Sequence, residues 1–531
     1  MVDLIIANGN IVDGSGNEPY TAALALHAGK IVRIAPRIDM PAEKIIDAAG
    51  EYVTPGFIDM HRHSDAVVFS ENFGELQLRQ GITSTINGNC GLSVVPLPEK
   101  WRREILSYLN PIVGELPSGK KFETFSEYLA LLEGEKLPIN FGMYIGNGTL
   151  RTAVKGFEKG ELSGEELSAL HGYLEDALAA GAFGVSMGLA YMPENFYGLE
   201  GFARALAPLR GSSRPLVTHI RGEGNLLVES LEEVIRVAIS LGVPLHISHF
   251  KCLGRKNWGH LLEKAIGVLD RAREGGQRLT CDVYPWTAGS TQLVQVLPPE
   301  FLEGGLDKTT QRLKDPLERK RCKEILSSSD TDFENQIDLV GWENIMVSSA
   351  RREENLSCVG KRITEIAAER GQDPFEAAFL LLASENCDVS MINFIACEED
   401  IKTILHYPHS AVISDSIYPA GGMPHPRQYG TFAKLLADYV RDTKVLSLPE
   451  AIHKITRKPA EILSIENKGL IKEGFDADIA VFNLERIKNN ATYLKPKELA
   501  EGFSYVLVGG VIANDHDRFL KTSSGKVLRR R

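Results

Sequence analysis

The sequence predicts an α/β protein: a (β/α)8 barrel of the TIM type, a small β-sandwich built from both chain ends, and a lid subdomain inserted after the seventh strand. Three observations predict it. Eight apolar, strand-like segments alternate with helix-like stretches through the middle of the chain. Short strands punctuated by turns fill the N-terminal region and reappear near the C-terminus. The gap between the seventh and eighth segments, Tyr284 to Ser416, is too long for a single crossover.

At 531 residues the chain exceeds one ordinary core, so a large domain with a smaller companion is expected. Residues 1–56 supply the N-terminal part of the sandwich. Leu4-Ile5-Ile6, Asn10-Ile11-Val12, Ala23–Leu26 and Lys30–Ile34 are separated there by Asn8-Gly9, Asp13-Gly14-Ser15-Gly16 and Ala28-Gly29. Residues 57–466 carry the barrel. Its candidate strands end at His63, Cys90, Gly146, Gly188, Ile220, Phe250, Tyr284 and Ser416, and helical periodicity marks Glu165–Ala180, Glu229–Leu241 and His260–Arg273. A doubly wound open sheet is the alternative. It would more often show a Gly-rich phosphate turn after its first strand, and none is present. The lid spans about 291–345, a polar segment with Pro298-Pro299 and the charged run Lys308–Ser328. Residues 467–531 return to the sandwich through Ala477–Phe482 and Tyr505–Ile512, and the basic Lys521–Arg531 reads as a mobile tail.

Composition narrows the function classes. A net charge of −11 argues against nucleic-acid or anionic-membrane partners and leaves a small-molecule substrate. No apolar run approaches the roughly 18 residues of a membrane span. The start lacks a basic region followed by a long apolar one, so no signal peptide is expected. Seven cysteines are scattered without a CxxC pair, which fits a reducing cytoplasm.

In a barrel, chemistry gathers at the C-terminal ends of the strands. His61 and His63 follow the first strand and, two residues apart, leave one face of an extended chain. The second strand runs into Gly88-Asn89-Cys90-Gly91, the fifth ends in Thr218-His219, the sixth in His246-Ile247-Ser248-His249, and the eighth in Ser414-Asp415. A lone strand-end histidine is usually structural, and a free cysteine usually acts as a small buried hydrophobe. The set is more specific than its members, because imidazole, thiolate and carboxylate are the ligands zinc prefers. His246, on the same strand as His249, lies farther from the strand end, so it ranks below.

With these residues in place, the chain resembles the amidohydrolase superfamily. Val53-Thr54-Pro55-Gly56-Phe57-Ile58-Asp59-Met60-His61-Arg62-His63 matches that family's opening, and Gly474-Phe475-Asp476-Ala477-Asp478-Ile479 its return to the β-domain. Within the superfamily it is similar to the D-aminoacylases (N-acyl-D-amino-acid deacylases). The markers are Gly88–Ser93, Thr218-His219, Ser248-His249-Phe250-Lys251, Asp282-Val283-Tyr284-Pro285 with Ala288–Thr291, and His425–Phe432. The resemblance implies zinc-dependent hydrolysis of the amide of an N-acyl-D-amino acid by metal-activated water. It implies that Cys90, His219 and His249 hold a tight Zn2+, and that His61, His63 and Asp415 line a second, weaker position. Asp415 would act as general base and then general acid. Lys251 and Arg427 are the candidate anchors for the substrate's α-carboxylate, with Tyr284 and Ser290 as hydroxyl donors. Tyr191–Tyr197 is offered as a pocket wall.

Two alternatives stay open. Hydantoinases and dihydroorotases use a carboxylated lysine on strand 4, and Phe183–Gly188 has no lysine. A catalytically inactive scaffold is the other. Two departures from the family pattern stand out. Arg62, between the two histidines, should point away from the metals by strand alternation. Asn147 stands where many relatives have histidine and could reshape the acyl pocket.

Overall fold

The computed structural model describes residues 1–530. The chain begins with Val2–Ile11, which pairs antiparallel with Tyr20–His27 and parallel with both Ala42–Asp47 and Tyr52–Pro55. Tyr52–Pro55 pairs on its other side with Ile479–Phe482, and Phe503–Val508, Val511–Asp515 and Arg518–Phe519 follow in turn. Both chain ends therefore enter one nine-stranded sheet. Tyr52–Pro55 bonds to strands of both ends, so the two halves form one continuous hydrogen-bonded sheet. Ile6, Leu24, Ile31, Val53, Ile479 and Leu507 form its buried cluster.

Tyr52–Pro55 leads at once into Phe57–Asp59, the first of a series of parallel strands. Ile82–Asn87 follows, then Asn140–Met143 continued by Ile145–Gly146, then Val185–Gly188, Leu216–His219, Leu245–Ile247, Leu279–Val283 and Ser410–Val412. Each pairs parallel with the next, and the ladder is carried across the break at Tyr144 by its N–H on the Asn87 carbonyl, 2.9 Å. The last strand also meets the first. His63 N donates to Ser416 O (3.0 Å), Asp415 N to His61 O (3.0 Å) and Ser414 N to Asp59 Oδ1 (3.0 Å).

Helices fill the intervals close to their expected bounds. Gly164–Ala180 opens on a Ser163/Glu166 capping box and stops at Gly181, whose φ of 101° suits a glycine. Leu227–Leu241 buries Leu227, Leu231, Val234, Ala238 and Leu241 along one stripe.

Two expectations are corrected in the second half. The inserted segment does not end near 345. Ala288–Gln292 pairs antiparallel with Ser390–Phe394, which also pairs with Ile345–Ser349, so the excursion extends past Phe394. Helices Leu306–Lys314 and Pro316–Leu326 lie within it, the first against Pro374–Ser384. Nor is the basic tail loose. Phe141 N donates to Lys526 O (2.9 Å), Leu528 N to Phe141 O (2.7 Å) and Arg530 N to Gly181 O (2.8 Å), so the tail lies beside the third parallel strand.

A fully buried ion pair at the end of the first strand, Asp59 with Arg62, reaches across the seam to the eighth. Arg62 Nη1 lies 3.0 Å from Asp59 Oδ2, and Arg62 Nε donates to the Tyr418 hydroxyl at 2.7 Å. The Ser414 hydroxyl donates to the same Asp59 oxygen. Arg62 thus points away from the two histidines that flank it. Removing one partner of such a pair leaves an uncompensated buried charge. Arg62→Met is expected to lower stability by about 3–5 kcal/mol; a urea-unfolding midpoint equal to that of the wild type would show that the pair does not hold the seam.

Candidate metal centre

The strand ends bring six side chains to one place. The ligand atoms of His61, His63, Cys90 and Asp415 lie within 4.8 Å of one another, as do those of Cys90, His219 and His249. Cys90 belongs to both groups. Its Sγ is 3.3 Å from His61 Nε2 and 3.5 Å from His249 Nε2. Asp415 Oδ1 is 3.2 Å from His61 Nε2 and 3.4 Å from His63 Nε2.

The local backbone makes this convergence possible. Cys90, His249 and Asp415 each sit in the left-handed region, with φ of 54°, 36° and 49°. Such a conformation costs a non-glycine residue on the order of 1–3 kcal/mol and persists only where neighbours impose it. Here they do. Gly88 and Gly91, both at positive φ, flank Cys90, and Gly91 N donates to Ser186 Oγ at 3.0 Å. The His249 amide donates to the Asp282 carboxylate. Asp415 is pinned by its amide on His61 O.

Behind the donors stand groups that orient them. Asp282 Oδ2 lies 3.5 Å from His61 Nδ1, which leaves Nε2 facing the centre. The same oxygen is 2.9 Å from His246 Nε2, while His246 Nδ1 faces Thr280 Oγ1 at 2.8 Å. His246 is therefore an outer support and His249 the inward residue. Glu223 Oε1 lies 3.0 Å from His249 Nδ1, and its other oxygen 3.9 Å from His219 Nε2. Sequence reasoning missed Glu223 altogether and noticed Asp282 only as part of a motif. The one available signal was that Glu223 falls four residues past His219.

The expected carboxylate anchors share an inner pocket of about 60 Å3 with Asp415, His219 and His249. Both cations are already paired. Lys251 Nζ donates to Glu223 Oε1 at 2.5 Å. Arg427 Nη1 lies 2.8 Å from Asp415 Oδ2, its Nη2 donates to Ser290 O at 3.1 Å, and its guanidinium sits 4.9 Å from the Tyr284 ring centre. The Ser290 hydroxyl donates to Met391 O at 2.8 Å. Tyr191 lines the pocket, with its hydroxyl 3.3 Å from Thr291 Oγ1. Asn147 does not line it. It is fully buried and donates to Glu194 Oε1 at 2.7 Å, and burial pushes Glu194 up to about 7. A cavity of about 540 Å3 shares His219, Glu223 and Gln336 with this pocket, and its walls include Leu189, Phe196, Leu297, Pro298 and Phe333.

The electrostatics suit a cation. Burial alone would raise the Cys90 thiol, but His61, His219 and His249 outweigh it and hold it well below the usual thiol range. Burial likewise opposes ionisation of Asp415, and Arg427 and His61 overcome it. His219 Nδ1 is buried with no hydrogen-bond partner, as a ligand atom would be. One thiolate, four imidazoles and a carboxylate fit a borderline divalent ion.

Residues 44–111 and 347–513 match the amidohydrolase family. The D-aminoacylase of Alcaligenes xylosoxydans xylosoxydans is 30% identical over 528 residues, covering 99% of this chain and 98% of its own. The N-acyl-D-aspartate deacylase of the same organism is 31% identical over 527 residues, covering 99% and 95%. A crystal structure of the N-acyl-D-glutamate deacylase of Bordetella bronchiseptica, with zinc and a phosphonate mimic of the tetrahedral intermediate, superposes with a TM-score of 0.83 at 28% identity across 99% of both chains. A D-hydantoinase at 17% identity and a TM-score of 0.57, covering 100% of this chain and 99% of its own, shares the fold alone.

Because Cys90 stands in both donor groups, Cys90→Ala is expected to weaken retention of divalent metal at least about tenfold. Elemental analysis after dialysis against a chelator measures this, and an unchanged metal content would strike Cys90 from the donor set.

Proposed function

The chain belongs to the amidohydrolase family, and from that premise we propose that it hydrolyses the amide bond of N-acyl-D-amino acids, releasing a carboxylate and a free D-amino acid, with zinc as cofactor. The observation that carries this reading is the convergence of Cys90, four histidines and Asp415 in a chain similar to D-aminoacylases from end to end. In this reading Cys90, His219 and His249 hold the tight zinc, and His61, His63 and Asp415 line the weaker position. Zinc, when bound, contributes Lewis acidity that activates water and polarises an acyl oxygen near neutral pH.

The chain's own residues do the rest. Asp415 takes the proton of the attacking water and returns it to the amide nitrogen, which leaves poorly without it. Arg427 on Oδ2 keeps Asp415 ionised and turned so that Oδ1 faces the histidines. Lys251, Tyr284, Ser290 and the remaining donors of Arg427 hold the substrate's α-carboxylate. Since both cations are already paired in the protein, that carboxylate joins existing ion-pair networks rather than meeting isolated charges.

The same proposal takes the parallel series as a (β/α)8 barrel spanning 57–466, with 1–56 and 467–531 as its β-domain and 291–345 as the start of a lid. Among the described residues no helix is long and apolar enough to cross a membrane, and the seven cysteines are free, which suits the proposed cytoplasmic setting. The outer cavity takes a neutral, apolar group of the substrate. Its walls set Leu189, Phe196, Leu297, Pro298 and Phe333 among charged side chains, of which the carboxylates Glu223, Glu300, Asp332 and Glu334 outnumber Lys159 and Arg221, and Arg221 is paired with Glu233 at 2.9 Å.

Paired N-acetyl-D- and N-acetyl-L-amino acids, with a hydantoin alongside, test the reaction on zinc-loaded protein. Turnover of the D series is expected; turnover of the hydantoin alone, or of nothing, would overturn the reading. Asp415→Ala should reduce kcat by about 10²–10⁴-fold while the tight zinc is retained, and full activity would remove Asp415 as the proton carrier. N-acetyl-D-leucine should exceed N-acetyl-D-aspartate in kcat/KM by at least about tenfold, since like charges meeting in a cavity cost several kcal/mol; the reverse order would refute the assignment of the outer cavity.

A further inference from the structure

We infer that Glu334, on the inserted segment, is a positioning residue for the metal centre: it fixes the loop after the fifth parallel strand and, through Glu223, the orientation of His249 and Lys251. The inference rests on the metal-centre reading above and extends it to a residue outside the centre.

Glu334 lies between helices Pro316–Leu326 and Gln336–Val340. Its carboxylate receives no cation; among the described residues no lysine, arginine or histidine stands in ion-pair range. It is taken up by backbone instead. Oε1 accepts from Glu223 N at 2.6 Å and Gly224 N at 2.9 Å, and Oε2 accepts from Gly224 N at 2.9 Å and Leu226 N at 3.2 Å. Three main-chain amides thus cup one carboxylate, an anion-binding arrangement of the nest type.

The loop has the residues this approach requires. A Cβ at Gly222 would stand 2.9 Å from Glu334 Oε2, and one at Gly224 would stand 3.2 Å from it and 2.6 Å from Leu339 Cδ1. Glycine at both positions lets the insert reach the backbone. Glu223, between them, has its amide on Glu334 and its side chain on the other side, 3.0 Å from His249 Nδ1 and bonded to Lys251 Nζ. Its carbonyl accepts from Leu253 N at 2.8 Å. The insert is therefore joined by two covalently linked contacts to a histidine of the metal centre and to a substrate anchor.

The test compares Glu334→Ala with Glu334→Gln in the full-length, zinc-loaded chain. The alanine variant is expected to lose kcat at least about tenfold, the scale seen when an orienting partner of a metal ligand is removed. Amide hydrogen exchange at Glu223, Gly224 and Leu226 should accelerate in it. Glutamine keeps one acceptor oxygen for Glu223 N and Gly224 N, so Glu334→Gln should recover most of the wild-type kcat and slow the exchange again. Wild-type kcat in the alanine variant, or glutamine no better than alanine, overturns the inference. Should the wild-type chain turn over no N-acyl-D-amino acid, the proposed activity fails by itself. The exchange comparison then decides the role of Glu334, and unchanged rates at the three amides overturn it.

Discussion

A thiolate and a carboxylate set among four imidazoles cannot be held out of water unless each is oriented by a charge behind it. Most of the architecture around the centre answers that requirement. Asp282 stands behind His61, Glu223 behind His249, and Arg427 behind Asp415. The supports are themselves supported: His246 on Asp282, Lys251 on Glu223, and the carbonyl of Ser290 on Arg427. The barrel-like order of the strands delivers the donors, but these alternating charges decide which atom of each donor faces inward.

The backbone bears part of the cost. Three of the six donors occupy left-handed conformations that their side chains disfavour. Each lies two or three residues past the end of a parallel strand, where the chain turns into the following loop. The compensation is local and specific: glycines beside Cys90, an aspartate on the amide of His249, and a main-chain bond from Asp415 to His61. The bonds of Asp59 and Arg62 to Ser414 and Tyr418 keep the first and eighth strands close enough for that last bond.

Much of this was readable from the sequence, for identifiable reasons. Apolar runs ending in His61, Cys90, His219, His249 and Asp415 advertise themselves, because such residues are uncommon at strand ends and the spacing of His61 and His63 carries its own geometry. The boundaries of the insert were not readable. Ala288–Gln292 finds its partner at Ser390–Phe394, and pairing between distant segments leaves no local mark. Glu223, Asp282 and Glu334 were opaque for another reason. Acidic residues are usually solvated, and nothing in their neighbours along the chain says which atoms will face them. Lys251 and Arg427 were identified as cations but not as members of ion pairs, for the same reason. The basic tail looked mobile because its composition is polar, while its main-chain bonds to Phe141 and Gly181 depend on no side-chain pattern.

The hydrogen bonds between Tyr52–Pro55 and Ile479–Phe482 also bear on biosynthesis. The strand that introduces His61 and His63 is tethered by residues made only after the whole parallel series. The nascent chain carries these two histidines through synthesis of the whole parallel series without the partner that anchors their strand. Asp415, which completes one of the two clusters, follows the last strand of that series. Convergence of the six side chains therefore waits for Ser410–Val412, and a product terminated before that strand lacks both the clamp and Asp415.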